Sequence, residues 1–104
     1  EVSSVGFTIA CGGLTAGLEV GVFLTSAAVD LVRKRAIEQT VVPPLSPLRE
    51  LIEDFMKRGG KVWACTPCVK ARGYEQGDLI DGVVISGASV MHERIKQGAA
   101  TLSF

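Results

Sequence analysis

Cys65 and Cys68 stand three residues apart in Lys61-Val-Trp-Ala-Cys-Thr-Pro-Cys-Val-Lys-Ala-Arg-Gly73, and thiols at that spacing can carry sulfur or redox chemistry. The apolar run Val62-Trp63-Ala64 reads as a buried strand that delivers Cys65 to a turn at Thr66-Pro67 and then to a short helix ending near Gly73. A thiol at a helix start faces backbone N–H groups without partners and the positive end of the helix dipole. Both favour thiolate, the reactive form. Lys70 and Arg72 add positive charge close by and are candidate holders of an anionic substrate such as thiosulfate. Cys68 can resolve a persulfide on Cys65, close a disulfide with it, or simply pack beneath the helix.

Other readings of these residues are weaker. Trp63-Ala-Cys-Thr-Pro-Cys68 resembles a thioredoxin site superficially, but the tryptophan is one residue too far from the first cysteine. No proline follows Pro67 to supply the loop that faces a thioredoxin disulfide. Zinc needs about four ligands, and the pair with the lone His92 supplies three, so no metal is expected and His92 reads as a solvated helix residue. Cys11, before Gly12-Gly13, reads as a packed small hydrophobe. Gly12-Gly13 lacks the preceding strand and the Gly-Lys-Ser/Thr pattern of a phosphate loop.

The elements that must position the thiols follow from patterning. Residues 46–58 form the clearest helix, with Ser46 as cap, Pro47 in the first turn and Leu48, Leu51, Ile52, Phe55 and Met56 as its apolar stripe. Gly59-Gly60 stops it, and strand 61–65 follows. Upstream, 19–25 reads as a strand, 27–35 as a helix with Leu31 and Val32 inward and Arg33-Lys34-Arg35 at its end, and 36–45 as a proline-broken loop. Downstream come a strand over 82–86, a helix over 88–97 ended by Gly98, and a final strand over 100–104. Residues 3–16 show both strand-like alternation and a helical face; the β-α rhythm of the remainder selects a helix capped by Gly17. Strands alternating with helices imply one α/β domain, 1–104, whose mostly parallel sheet is covered on both faces.

Composition narrows the function classes. Lys+Arg and Asp+Glu balance at 11 each, so no overall field attracts nucleic acid. Three cysteines without a secretory signal argue for reduced thiols in a cytoplasm. Residues 5–29 carry one charge, Glu19, but their glycines and strand-like 20–24 cluster speak against a membrane span.

In order and spacing the chain resembles the DsrE/DsrF-like family of small sulfur-relay proteins. The likeness lies in Gly12-Gly13-Leu14-Thr15-Ala16-Gly17-Leu18-Glu19-Val20 before Phe23-Leu24-Thr25, in Gly60-Lys61-Val62-Trp63-Ala64-Cys65, in Ala71-Arg72-Gly73, and in Gly87-Ala88 with a closing Ala100-Thr101-Leu102-Ser103-Phe104. The resemblance implies a flavodoxin-like sheet lacking the family's usual first strand and a trimer or hexamer of like subunits; no cofactor is expected. It also implies a cytoplasmic cysteine, at the position of Cys65, that takes sulfane sulfur from a donor and passes it to an acceptor thiol. A non-catalytic oligomeric interaction protein and a Cys65/Cys68 dithiol redox protein are the alternatives.

Overall fold

The computed structural model describes residues 2–34 and 47–103. The chain opens with the helix α1, Val2–Thr15, and continues through β1, Gly21–Leu24, to a 3-10 helix η1, Ser26–Val32. Next come α2, Pro47–Lys57, β2, Lys61–Cys65, and the short α3, Thr66–Ala71. A second 3-10 turn η2, Gln76–Asp78, precedes β3, Val84–Ser86, and α4, Ser89–Lys96. The three strands form one parallel sheet in the order β1-β2-β3. Gly21 pairs with Lys61 and Leu24 with Ala64; Trp63 pairs with Val84 and Cys65 with Ser86. The sheet is therefore α/β and parallel, as the sequence predicts.

The ambiguous N-terminal segment is helical. Its end explains why: Gly17, at φ +85°, lets the Leu18 N–H reach back to the Gly13 carbonyl and its own N–H to that of Leu14, each at 3.0 Å. That is the glycine-terminated cap in which a left-handed residue satisfies carbonyls the helix leaves open. The inner residues of α1 and α2 then meet, with Phe7 edge-on to Phe55 at 5.9 Å between ring centres. Phe55, Ile52, Val62, Val29, Val32, Leu79 and Val83 are the fully buried centre of the core.

Three expectations are corrected. The segment expected as a helix over 27–35 is a 3-10 helix that ends at Val32, and Arg33 instead bridges to Leu79 in antiparallel fashion. Three residues per turn place positions i and i+3 on the same side, so Val29 and Val32 are both fully buried while Leu31 is only half-buried. The strand expected over 82–86 shortens to 84–86, because Gly82 turns the chain at φ +97°. The strand expected over 100–104 is absent from the described residues: 100–103 join no ladder, and Leu102 is 76% exposed. A strand segment is held by its ladder, and the three-residue β3 offers this tail none. Ser46 and the 36–45 loop lie outside the described residues. Among the described residues no helix is long and apolar enough to cross a membrane, and the 5–29 stretch is divided between α1, β1 and η1.

Candidate functional site

Parallel neighbours end at the same edge of a sheet, and the segments that leave them converge there. Leu24 and Ala64 are register partners, so the chain leaving β1 at Thr25-Ser26 meets the chain leaving β2 at Cys65-Thr66. Ser26 has φ +53°, alone among the described non-glycine residues in adopting a positive value. The turn directs its backbone N–H to the Cys68 sulfur, donating a hydrogen bond at 3.1 Å. Cys68 lies in the first turn of α3 and is half-buried; Cys65, immediately before that helix, is only 9% exposed.

The two thiols lie against each other, and their surroundings separate them. The Ser26 N–H is the largest influence on Cys68, followed by the interaction with the Cys65 thiol; with Arg72 they outweigh desolvation and hold Cys68 below the ordinary thiol range. Cys65 feels the Cys68 backbone N–H pulling it down, without a cap hydrogen bond being closed. The Cys68 side chain, burial and the Cys68 charge together overcome that pull and push Cys65 up. These surroundings set the Cys68 thiol lower than that of Cys65. Helix position favours Cys65, but α3, six residues long, has little dipole to offer.

Further along α3, Asp30 of η1 organises the two side chains at the helix end. The Tyr74 hydroxyl donates to Asp30 Oδ1 at 2.6 Å, and Arg72 Nε lies 3.4 Å from the same oxygen. Tyr74 is pushed up from its ordinary value by that hydrogen bond first, then by burial and the Asp30 charge, against Arg33 and Arg72. Beside them is an open depression of about 450 Å³ bordered by Arg33, Lys34, Arg72, Tyr74 and Asp78. The Arg33 guanidinium stacks 5.2 Å from the centre of the Tyr74 ring.

Of the residues singled out in the sequence, the fold gathers Cys65, Cys68 and Arg72. Lys70 is exposed and does not border the depression that Arg72 lines. Cys11 is half-buried on α1, its thiol pushed up by burial and then by Asp54, against Arg58. His92 is exposed on α4, and the described residues contain no group of three or more His, Cys, Asp or Glu suited to a metal. Ser26, Asp30, Arg33 and Tyr74 were not foreseen as site residues. Ser26 and Cys68 are 42 positions apart, and their meeting was detectable only from their places after two neighbouring parallel strands.

Comparison with known proteins fits this architecture. A protein of unknown function from Methanobacterium thermoautotrophicum, MTH1491, superposes with a TM-score of 0.72 over 98% of this chain and 88% of that one, at 22% identity. In sequence, the uncharacterized protein MK0008 of Methanopyrus kandleri is 37% identical over 82 residues, covering 79% of this chain and 62% of that protein. The uncharacterized protein MJ0989 of Methanocaldococcus jannaschii is 34% identical over 82 residues, covering 79% and 66%. The match thus spans less than two thirds of either relative's length. The family profile of DsrE/DsrF-like proteins matches residues 1–104, from one end of the chain to the other, and the chain belongs to that family.

Proposed function

We propose that this protein is a sulfur carrier in which Cys68 takes up sulfane sulfur and Cys65 holds the neighbouring proton. The observation that carries this reading is the Ser26 N–H on Cys68 Sγ at 3.1 Å, with the Cys65 thiol against the same sulfur. Membership of a family associated with sulfur relay supports it. In the loading step the Cys68 thiolate attacks the outer sulfur of a donor persulfide; the donor S–S bond breaks and its electron pair leaves on the donor thiolate. In unloading, an acceptor thiolate attacks the outer sulfur of the Cys68 persulfide and Cys68 departs as thiolate, stabilised by the Ser26 N–H and the Cys65 proton. Cys65, the position the family resemblance singles out, thereby assists the residue that bears the sulfur. Donor and acceptor thiols in a cytoplasm, and assembly from like subunits, complete the proposal.

The closeness of the two thiols also favours a second reading, a dithiol that cycles through a Cys65–Cys68 disulfide. Intact-protein mass spectrometry after incubation with thiosulfate or an organic persulfide separates them. A gain of about 32 Da, one sulfur, retained in Cys65→Ala and lost in Cys68→Ala, is the expected result. A loss of about 2 Da in the wild type, with no adduct, would establish the dithiol instead. A folded protein that acquires neither change would leave a non-catalytic interaction role.

A further inference from the structure

Of the three described cations that border the depression, Arg33 alone has no ion pair with a carboxylate. Lys34 lies 3.7 Å from Asp81, and Arg72 lies 3.4 Å from Asp30, but Arg33 has no ion-pair partner among the described residues. Its side chain is half-buried, and its Nε is buried with no hydrogen-bond partner. A buried donor left unmatched is costly, and such groups in folded proteins normally have a partner. Here the guanidinium borders an open depression with Lys34 and Arg72 on the same rim. One carboxylate, Asp78, also borders the depression and accepts the Glu75 N–H at 2.9 Å, which leaves three cations to one anion on the rim. An acidic group entering the depression would meet an arginine with no ion-pair partner among the described residues, and guanidinium groups suit sulfonate and phosphate oxygens.

The position of the depression limits the ligand. Cys68 does not border it, whereas Arg72, four residues further along α3, does. At 1.5 Å of rise per residue those positions are about 6 Å apart along the helix. A donor that engages Arg33 and presents its sulfur to Cys68 must bridge the depression and the start of α3, as a short thiol with an acidic tail would.

We propose that the depression bordered by Arg33, Lys34, Arg72 and Tyr74 binds the acidic tail, phosphate or sulfonate, of a small organic persulfide whose sulfur reaches Cys68. The inference rests on the sulfur-carrier reading and names its donor class. The Cys68 thiolate attacks the outer sulfur of R–S–SH, the S–S bond breaks, and the electron pair leaves on R–S⁻. That thiolate takes up the proton of the transferred S–H, so the products are Cys68–S–S⁻ and R–SH.

The test compares loading of the protein by two persulfides of equal length, those of 3-mercaptopropanesulfonate and 3-mercaptopropanol, followed by mass spectrometry over time. The sulfonate donor is expected to load at low concentration about tenfold faster or more. Arg33→Gln, and independently Lys34→Gln at a 43% exposed side chain, should bring it down to the rate of the neutral donor while leaving that donor's rate unchanged. Equal loading by both donors, or equal slowing of both in each variant, would overturn the anion site and leave the carrier reading standing. Loading by neither would overturn the carrier reading and this inference with it.

Discussion

Replacing Arg33 by methionine should leave the ligand-free protein as stable as before or slightly more so. The Arg33 Nε is buried and has no hydrogen-bond partner among the described residues. Desolvating a polar group without a replacement hydrogen bond costs about 1–3 kcal/mol, and methionine removes that term while keeping most of the aliphatic stem. What is lost is the guanidinium over the Tyr74 ring at 5.2 Å, worth about 0.5–2 kcal/mol according to solvation. Set end against end, the balance runs from about 1 kcal/mol against the variant to about 2.5 kcal/mol in its favour, and its centre, just under about 1 kcal/mol in favour, is worth up to about 5 °C in Tm for a chain of this size. Adding propanesulfonate should reverse the order. At ten times its Kd, a ligand that binds only the folded wild type stabilises it by about 1.4 kcal/mol, and Arg33→Met gains nothing. Thermal melts of both proteins with and without propanesulfonate read the crossing directly. A variant that melts more than about 5 °C below the wild type without ligand would show that Arg33 is structural, and the reasoning would fail.

Three more outcomes follow from the same geometry. Alkylation of Cys68 should rise with pH through a midpoint below the ordinary thiol range, because thiolate is the nucleophile and Cys68 is held down by the Ser26 N–H and Cys65. Cys65→Ala removes the second of these and should move the midpoint up; an unmoved midpoint counts against the coupling. Cys65→Ser should lengthen the life of a Cys68 persulfide, since the Cys65 thiol can attack its inner sulfur to give a disulfide and hydrogen sulfide; sulfide release as fast as in the wild type would refute this. Gly60→Ala should cost about 1–3 kcal/mol in urea unfolding by overpacking, because an added Cβ would lie 2.4 Å from the buried Phe55 ring; a loss below about 0.5 kcal/mol would show that the ring yields freely.

Local chemistry made much of the fold legible. The stripe from Leu48 to Met56, the Gly59-Gly60 stop and the Val62-Trp63-Ala64 run place α2 and β2 within a residue of where patterning puts them. What failed was local reasoning about segments whose state is set elsewhere. Residues 27–35 look helical by composition, but η1 tightens so that Val29 and Val32 share the buried side. The tail over 100–103 has strand-like residues but pairs with no neighbour. Arg33 read as a helix-end charge because no sequence pattern shows that its Nε becomes buried or that Tyr74 lies under its guanidinium.

The choice between the two cysteines shows the same division most sharply. From sequence, the only donors that can be assigned to a thiol are those of the helix that follows it, and these point to Cys65 at the helix start. In the fold that helix is too short for its dipole to decide the matter. The deciding donor arrives from the end of the neighbouring strand, on a serine whose left-handed backbone is disfavoured by about 1–2 kcal/mol relative to an ordinary conformation. Glycine would adopt φ +53° without that strain, so the conformation is imposed by what flanks it: Leu24 fixed in register with Ala64, and the tight η1 beginning at once. Sheet topology brings the Ser26 N–H to Cys68 and holds that thiol below the deeper Cys65, a difference that no pattern local to either cysteine displays.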